Sequence, residues 1–215
     1  MISLSVWEIV HFLLLAARWT LLLSAIAFLG GGTAALLLLF LRYAQPRGGA
    51  TLVRYYIELL QGTPLLLQLF LVFFGLPLLG IEVSPLLAAA VALILYAGAF
   101  LAEIWRGCVD AVPRGQWEAS AALGLNFISQ MRYVILPQAL RIAVPPTVGF
   151  LVQLLKATAL SSIVGFNDLT RAGTIVTNAT FQPFLVYGLV ALIYFAMCYP
   201  LTVCSRFLER KLGSY

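Results

Sequence analysis

Residues 19–41, WTLLLSAIAFLGGGTAALLLLFL, contain no Asp, Glu, Lys or Arg. An α-helix rises 1.5 Å per residue, so roughly 20 apolar residues are enough to cross about 30 Å of hydrocarbon. This stretch is therefore predicted to form a membrane-spanning helix. Its Gly30-Gly31-Gly32 run lowers helix propensity, which indicates close approach of a neighbouring helix or a local bend, unless the glycines are merely tolerated in lipid.

The composition extends this prediction to the whole chain. Of its 215 residues, 62% are hydrophobic and only 10% are charged, whereas soluble domains average about 45–50% and about 25%. A soluble globule is excluded, and we expect an all-α integral membrane protein, one transmembrane domain of residues 1–215 with about five spans. The spans are predicted near residues 12–41, 56–81, 83–106, 140–165 and 182–206.

The fourth predicted span differs from the others. It carries Pro145 and Pro146 near its start and Lys156 inside it. Such residues are tolerated where a helix faces protein or water rather than lipid. We therefore expect this helix to face a partner or an aqueous path.

The basic residues predict an orientation. Arg18 and Arg171 lie on one side of the predicted spans, and ten Lys or Arg residues lie on the other. Positively charged loops stay in the cytoplasm, so the N-terminus is predicted outside and the C-terminus in the cytoplasm. The formal net charge of +5 is thus interpreted as an orientation signal, and no nucleic-acid partner is expected. The ten residues are Arg42, Arg47, Arg54, Arg106, Arg114, Arg132, Arg141, Arg206, Arg210 and Lys211.

A short helix is predicted in the cytoplasmic loop between spans 3 and 4. Residues 116–124, QWEASAALG, are rich in Ala, follow Pro113 and Gly115, and end at a glycine suited to a helix C-terminus. The helix is expected near residues 115–125, with Glu118 in its first turn, where the helix dipole favours a carboxylate. Its small side chains would let a larger protein pack closely. A helix lying on the membrane surface would instead need large apolar residues opposite Lys or Arg.

This loop resembles that of bacterial ABC importer permeases. Glu118-Ala119-Ser120, Gly124 and the later Val134, Leu136 and Pro137 match the pattern E-A-A, three residues, G, nine residues, I-x-L-P, with Ser120 in place of the second Ala. The similarity runs from about Thr20 to Lys211 and is to the polar amino-acid branch of that family. The further segments that carry it are AEIWRG (102–107), AVPRGQWEA (111–119), VILPQALR (134–141) and GTPLLLQ (62–68).

The resemblance implies a multi-pass subunit of the bacterial cytoplasmic (inner) membrane. Such a subunit lies in membrane lipid and pairs with a second permease, as homodimer or heterodimer. It also binds an ABC ATPase dimer and an extracytoplasmic solute-binding protein, and with the second permease it forms the path for an amino acid. The chain has no G-x-x-x-x-G-K-[ST] loop, so ATP and Mg²⁺ are expected on the partner ATPase. No cofactor, metal or catalytic residue is expected in this chain. The residues implied in ATPase coupling are Gln116, Glu118, Ala119, Ser120, Ala122, Gly124, Leu136 and Pro137.

Polar residues inside the spans are candidates for a substrate path, because ionisable groups at membrane depth are costly. Gln153 and Lys156 lie three residues apart and can share one helix face; packing against a partner helix or backbone carbonyls is the alternative. Relatives commonly have Asp and Ser where this chain has Ala157 and Ala159, which makes a cationic substrate doubtful unless the second permease supplies the acid. The candidates are Gln153, Lys156, Thr158, Ser161, Gln61, Thr63 and Gln68.

Other charges in and near the spans have simpler explanations. Arg54 and Glu58, and Glu103 and Arg106, are spaced for ion pairs within one helix. Asp168 and Arg171, three residues apart, are a candidate surface for the solute-binding protein together with Glu82, or else a solvated turn.

Two competing functions remain open from the residues. An ATPase-independent membrane channel or carrier would need a filter or mid-span carboxylates, and an integral-membrane enzyme would need a converging catalytic set. The single His11 near the N-terminus provides no such set.

Overall fold

A computed structural model describes residues 5–45 and 48–212. Arg47, one of the ten basic residues above, lies outside these ranges. The described residues are almost entirely helical. The helices are α1 Val6–Ala44, α2 Gly48–Gly62, α3 Leu65–Leu78, α4 Pro85–Asp110, α5 Arg114–Ala122, α6 Phe127–Gln130, a π-helical turn Met131–Ile135, α7 Leu136–Ala157, a 3₁₀-helix Thr158–Val164, α8 Leu169–Thr180 and α9 Pro183–Leu212.

Four helical segments are long and apolar enough to cross a membrane. They are Val6–Ala44, Pro85–Asp110, Phe127–Val164 and Pro183–Leu212, and α2 with α3 makes a fifth if that bent pair counts as one span. The prediction of about five spans is confirmed, and each of the four continuous segments is longer than predicted. Local capping explains two of the starts: Ser5 and Glu8 cap α1 reciprocally, and Ser84 precedes Pro85 at the start of α4, with its Oγ accepting from the N–H of Leu87 at 3.2 Å.

The span predicted near residues 56–81 is broken into two helices. Helices α2 and α3 meet at an angle of 101°. The bend falls at Thr63 and Pro64, because proline has no N–H to donate and restricts the residue before it. The Gln68 amide Nε2 bridges the break by donating to the carbonyl of Leu60 at 2.8 Å and to Thr63 Oγ1 at 3.0 Å.

The core lies between α1 and α4, where small residues allow the two backbones to approach. A Cβ atom placed on Gly31 would lie only 3.1 Å from the backbone carbon of Ala97, and one placed on Gly98 would lie 3.0 Å from the Cβ of Ala34. The glycine run therefore marks a close approach of two helices, which is one of the explanations that the sequence offered. Helix α7 joins this core through Phe150, whose ring stacks on Phe100 of α4 at 5.7 Å.

Candidate functional site

The short helix predicted in the loop is present as α5, Arg114–Ala122. It begins directly after Pro113, earlier than expected, so Glu118 lies beyond the first turn and the helix-dipole argument for it was wrong. Its end is a Schellman motif: Gly124 has φ +75°, its N–H donates to the Ala121 carbonyl at 2.9 Å, and the Leu125 N–H donates to the Ser120 carbonyl at 3.2 Å. The glycine thus ends the helix as the sequence indicated.

One side of α5 faces the protein. Ser120 is buried, and its hydroxyl donates to the Trp117 carbonyl at 2.9 Å. Trp117 packs, half-buried, against a cluster that includes Val109 at the end of α4 and Ile135 in the π-helical turn. Helix α5 is therefore held against the ends of both flanking spans.

The other side of α5 is open. The exposed members of the predicted coupling set on and next to this helix are Gln116, Glu118, Ala119, Ala122 and Gly124. The sequence analysis missed two exposed apolar neighbours, Leu123 with 80% and Ile128 with 75% of the residue exposed. Apolar side chains inside an otherwise polar loop were the available signal. We call this exposed side, from Gln116 to Ile128, the α5 surface.

Leu136 and Pro137 stand where α7 begins, immediately after the π-helical turn, and both are exposed. Gln138 connects this point to α5: its Nε2 donates to the Val134 carbonyl at 2.8 Å and to Gln116 Oε1 at 3.3 Å. A movement of α5 would therefore reach the start of α7 directly.

Gln153 and Lys156 are brought together on one exposed face of α7, as predicted. Gln153 Nε2 donates to the Tyr96 hydroxyl of α4 at 3.1 Å. Lys156 forms no ion pair within residues 5–45 and 48–212. This face therefore presents a cation and an amide away from the core of the chain.

The remaining candidates for the path lie elsewhere. Thr158 and Ser161 are fully buried in the 3₁₀-helix, and their hydroxyls donate to the carbonyls of Leu155 and Thr158 at 2.7 and 2.5 Å. Thr63 and Gln68 make their hydrogen bonds at the bend between α2 and α3. Gln61 is exposed and lines a separate polar cavity of about 280 Å³ between α1, α2 and α4.

The predicted intrahelical ion pairs are confirmed. Arg54 Nε lies 2.7 Å from Glu58 Oε1. Arg106 contacts both Glu103 and Asp110 at 2.5 Å. These side chains satisfy one another within α2 and α4. Arg54, Glu58, Glu103 and Arg106 also line the same cavity as Gln61.

Asp168 is neither part of an exposed surface for the solute-binding protein nor in a solvated turn, the two interpretations that the sequence offered. Residues 169–180, expected as a connection, form α8, and the fully buried Asp168 caps it by accepting from the Arg171 backbone N–H at 2.9 Å. The Tyr194 hydroxyl of α9 donates to its second oxygen at 3.4 Å, and Thr20 of α1 accepts from the Leu169 N–H at 3.0 Å. The capping cluster thus ties α8 to α1 and α9. An Asp before a helix-forming run was the sequence signal for this role.

Replacing Asp168 tests the capping cluster. Burial raises the pKa of the Asp168 carboxyl, so the folded chain keeps this proton to higher pH than the unfolded chain, and ionisation costs stability as the pH rises above about 4. Asp168→Asn keeps an acceptor for the α8 N-terminus without the charge. Its thermal midpoint is expected to exceed that of the wild type at neutral pH, with the difference shrinking toward pH 4.

Asp168→Ala is the companion variant, because it removes the cap itself. It is expected to be about 1 kcal/mol less stable than Asp168→Asn at all pH values, since neither variant titrates at this position. Midpoints measured by intrinsic fluorescence between pH 4 and 8 distinguish the two effects. If the wild type instead becomes more stable relative to Asp168→Asn as the pH rises, the ionised carboxylate stabilises the fold and the predicted cost of its ionisation is contradicted.

The long apolar helices and the α5 surface between two of them define a class, the transmembrane permease subunits of ABC transporters. The chain belongs to the family described as binding-protein-dependent transport system inner membrane component, whose profile matches residues 29–214.

Similar proteins agree with this assignment. The probable amino-acid ABC transporter permease protein YckA of Bacillus subtilis (strain 168) is 36% identical over 197 residues, which cover 92% of this chain and 87% of that protein. The glutamine transport system permease protein GlnP of Escherichia coli (strain K12) is 32% identical over 210 residues, which cover 97% and 96%. A crystal structure of an amino acid ABC transporter with histidines matches with a TM-score of 0.91 and 31% identity over 98% of this chain and 100% of that one.

Proposed function

We propose that this chain is the transmembrane subunit of an ATP-driven, binding-protein-dependent amino-acid importer. The observation that carries the proposal is the α5 surface, an exposed run of small residues on a helix anchored to the ends of α4 and α7. The names of the similar proteins, which are amino-acid and glutamine permeases, support the substrate class. The distribution of basic residues supports an extracytoplasmic N-terminus and a cytoplasmic C-terminus in the bacterial inner membrane.

In the proposed mechanism, the ABC ATPase dimer binds the α5 surface and holds ATP and Mg²⁺. Closure of the dimer on ATP would displace α5. Trp117 packs against the ends of α4 and α7, and Gln116 accepts from Gln138 of α7, so the displacement would tilt both spans. A packed contact of this kind converts a local movement into alternating access, provided that the two states bind ATP differently.

The translocation path is proposed to lie between this chain and a second permease. The exposed face of α7 with Gln153 and Lys156 is the best candidate for its wall, because a lysine that has no ion pair among the described residues is costly in lipid. Gln61, Thr63 and Gln68 at the bend, and Thr158 and Ser161 in the 3₁₀-helix, would then shape the spans that flank the path. On the extracytoplasmic side, the exposed Arg171 and Glu82 would orient the solute-binding protein.

Purification from cells that express the natural partners tests the proposal. The tagged chain, extracted in mild detergent, is expected to bring along an ATP-binding subunit, and one amino acid with its binding protein is expected to raise ATP turnover. Ala122→Trp should remove the ATPase, because it places a bulky ring on the α5 surface. Ala44→Trp is the matched control, since Ala44 is also exposed and lies at the end of α1.

A chain that purifies without an ATPase, or with one whose retention is insensitive to Ala122→Trp, would overturn the proposed coupling. The first outcome would favour the ATPase-independent channel or carrier. The second would place the ATPase contact outside the α5 surface.

A further inference from the structure

A cavity of about 390 Å³ lies between α7 and α9 near the C-terminal end of the chain. Its size falls within the range of small-molecule sites. We call it the α7–α9 cavity. Its walls are formed mainly by Arg141, Pro146, Gly149, Ser205, Glu209 and Leu212.

The cavity has a structural cause. The Ser205 hydroxyl of α9 donates to the Pro145 carbonyl of α7 at 2.9 Å and joins the two helices. Beside this contact lies Gly149, where a Cβ atom would be 3.6 Å from Ser205 Oγ. Because glycine has no side chain, the space next to the contact stays open.

Two opposite charges line this space and are not neutralised by each other. Within residues 5–45 and 48–212, neither Arg141 nor Glu209 takes part in an ion pair. The chain pairs its charges elsewhere, as at Arg54 and Glu58 and at Arg106. A guanidinium on one helix and a carboxylate on the other are therefore both available to a ligand.

The α7–α9 cavity continues the face of α7 that carries Gln153 and Lys156. Pro146, Gly149, Gln153 and Lys156 follow one another at spacings of three and four residues, so they lie on one side of the helix. From Arg141 to Lys156, fifteen residues rise about 22 Å. The cavity thus extends the proposed path toward the C-terminal end of α9.

We propose that the α7–α9 cavity binds the zwitterionic backbone of a free α-amino acid. Arg141 would receive the carboxylate, which matches the forked donors of a guanidinium, and Glu209 would receive the ammonium group. Pro146 and Leu212 offer apolar contact to the side chain of the solute. The inference rests on the proposed function, because import makes this cavity the last binding site before the amino acid is released into the cytoplasm.

Binding to the purified complex in nanodiscs, without binding protein, tests this site. The probes are the twenty L-amino acids, measured singly by calorimetry, followed by the α-amide and the N-acetyl derivative of the tightest binder. Arg141→Gln and Glu209→Gln should each weaken amino-acid binding by about tenfold or more, the loss expected for one charge-assisted hydrogen bond. The wild type should reject both derivatives. Arg141→Gln should lose its discrimination against the amide, and Glu209→Gln against the N-acetyl form.

Two controls sharpen the measurement. Arg210→Gln removes a neighbouring exposed charge of α9 that does not line the cavity, and it should leave binding unchanged. The exchange Arg141→Glu with Glu209→Arg should restore part of the affinity, because both charges are present again.

The inference is overturned if no amino acid binds the wild type, or if both single variants bind as well as it does. It is also overturned if the variants change only the thermal midpoint, since the two residues would then form a structural ion pair only. Co-purification of the ATPase and amino-acid stimulation of its turnover remain separate readouts. They can succeed while the α7–α9 cavity fails, and the reverse, so the two proposals are tested independently.

Discussion

Gly31→Leu is expected to prevent the chain from accumulating in a folded form. Gly31 is buried where α1 crosses α4, and an added Cβ would lie 3.1 Å from both the carbonyl carbon of Ala97 and the nitrogen of Gly98, with the Ala97 side chain closer still. Backbone atoms cannot rotate away as a side chain can, so the helices must separate. Separation would uncover the core that both share with α7. Size-exclusion chromatography of a fluorescent fusion in detergent is expected to show aggregate in place of the wild-type peak.

Alanine variants separate the clash from helix propensity. Gly→Ala favours a helix by roughly 1 kcal/mol wherever it is sterically permitted. At Gly32 the nearest atom to an added Cβ is Trp105 Cη2 at 3.7 Å, an ordinary contact, so Gly32→Ala should keep or raise the thermal midpoint. Gly31→Ala should lower it, because overpacking costs about 1–3 kcal/mol. Equal midpoints for the two alanine variants would show that α1 and α4 do not approach closely at Gly31.

The glycine run shows how far the sequence predicts this fold. Charge-free stretches identify the spans because a charged side chain near the centre of the bilayer is costly. The run Gly30-Gly31-Gly32 predicts close packing but does not identify the helix it packs against, since Ala97 and Gly98 come more than sixty residues later. Composition alone does not predict the effect of one proline on the backbone, and it therefore misses the bend of 101° at Pro64.

Asp168 and Trp117 show why the site was only partly predictable. An Asp three residues before an Arg has the same spacing whether it pairs on a surface or caps a helix, and burial between α1, α8 and α9 decides between the two. The exposed side of α5 follows from its small residues. Its anchoring depends on the packing of Trp117 against the cluster that includes Val109 and Ile135, and no local sequence pattern predicts this packing.

Gly124→Val is expected to uncouple ATP hydrolysis from amino-acid uptake while the chain still inserts in the membrane. Gly124 has φ +75°, a left-handed conformation that costs other residues roughly 1–2 kcal/mol and a β-branched residue more. Valine would therefore disfavour the Schellman motif that ends α5 and shift Leu123 and Ile128 on the α5 surface. Uptake into proteoliposomes should fall to near background, whereas ATP turnover should persist without responding to the solute.

Gly124→Asn distinguishes backbone conformation from bulk, because asparagine adopts the left-handed region more readily than other residues with side chains. No atom lies within 4 Å of a Cβ placed on Gly124, so neither valine nor asparagine meets a steric clash at its Cβ within this chain. The two variants therefore differ chiefly in backbone preference. Asparagine is expected to retain most of the coupled uptake. Gly115→Val is the matched control: an added Cβ there also meets no atom within 4 Å, and the residue does not have positive φ. Coupled uptake retained in Gly124→Val, or lost equally in Gly115→Val, would contradict a specific role for the left-handed end of α5.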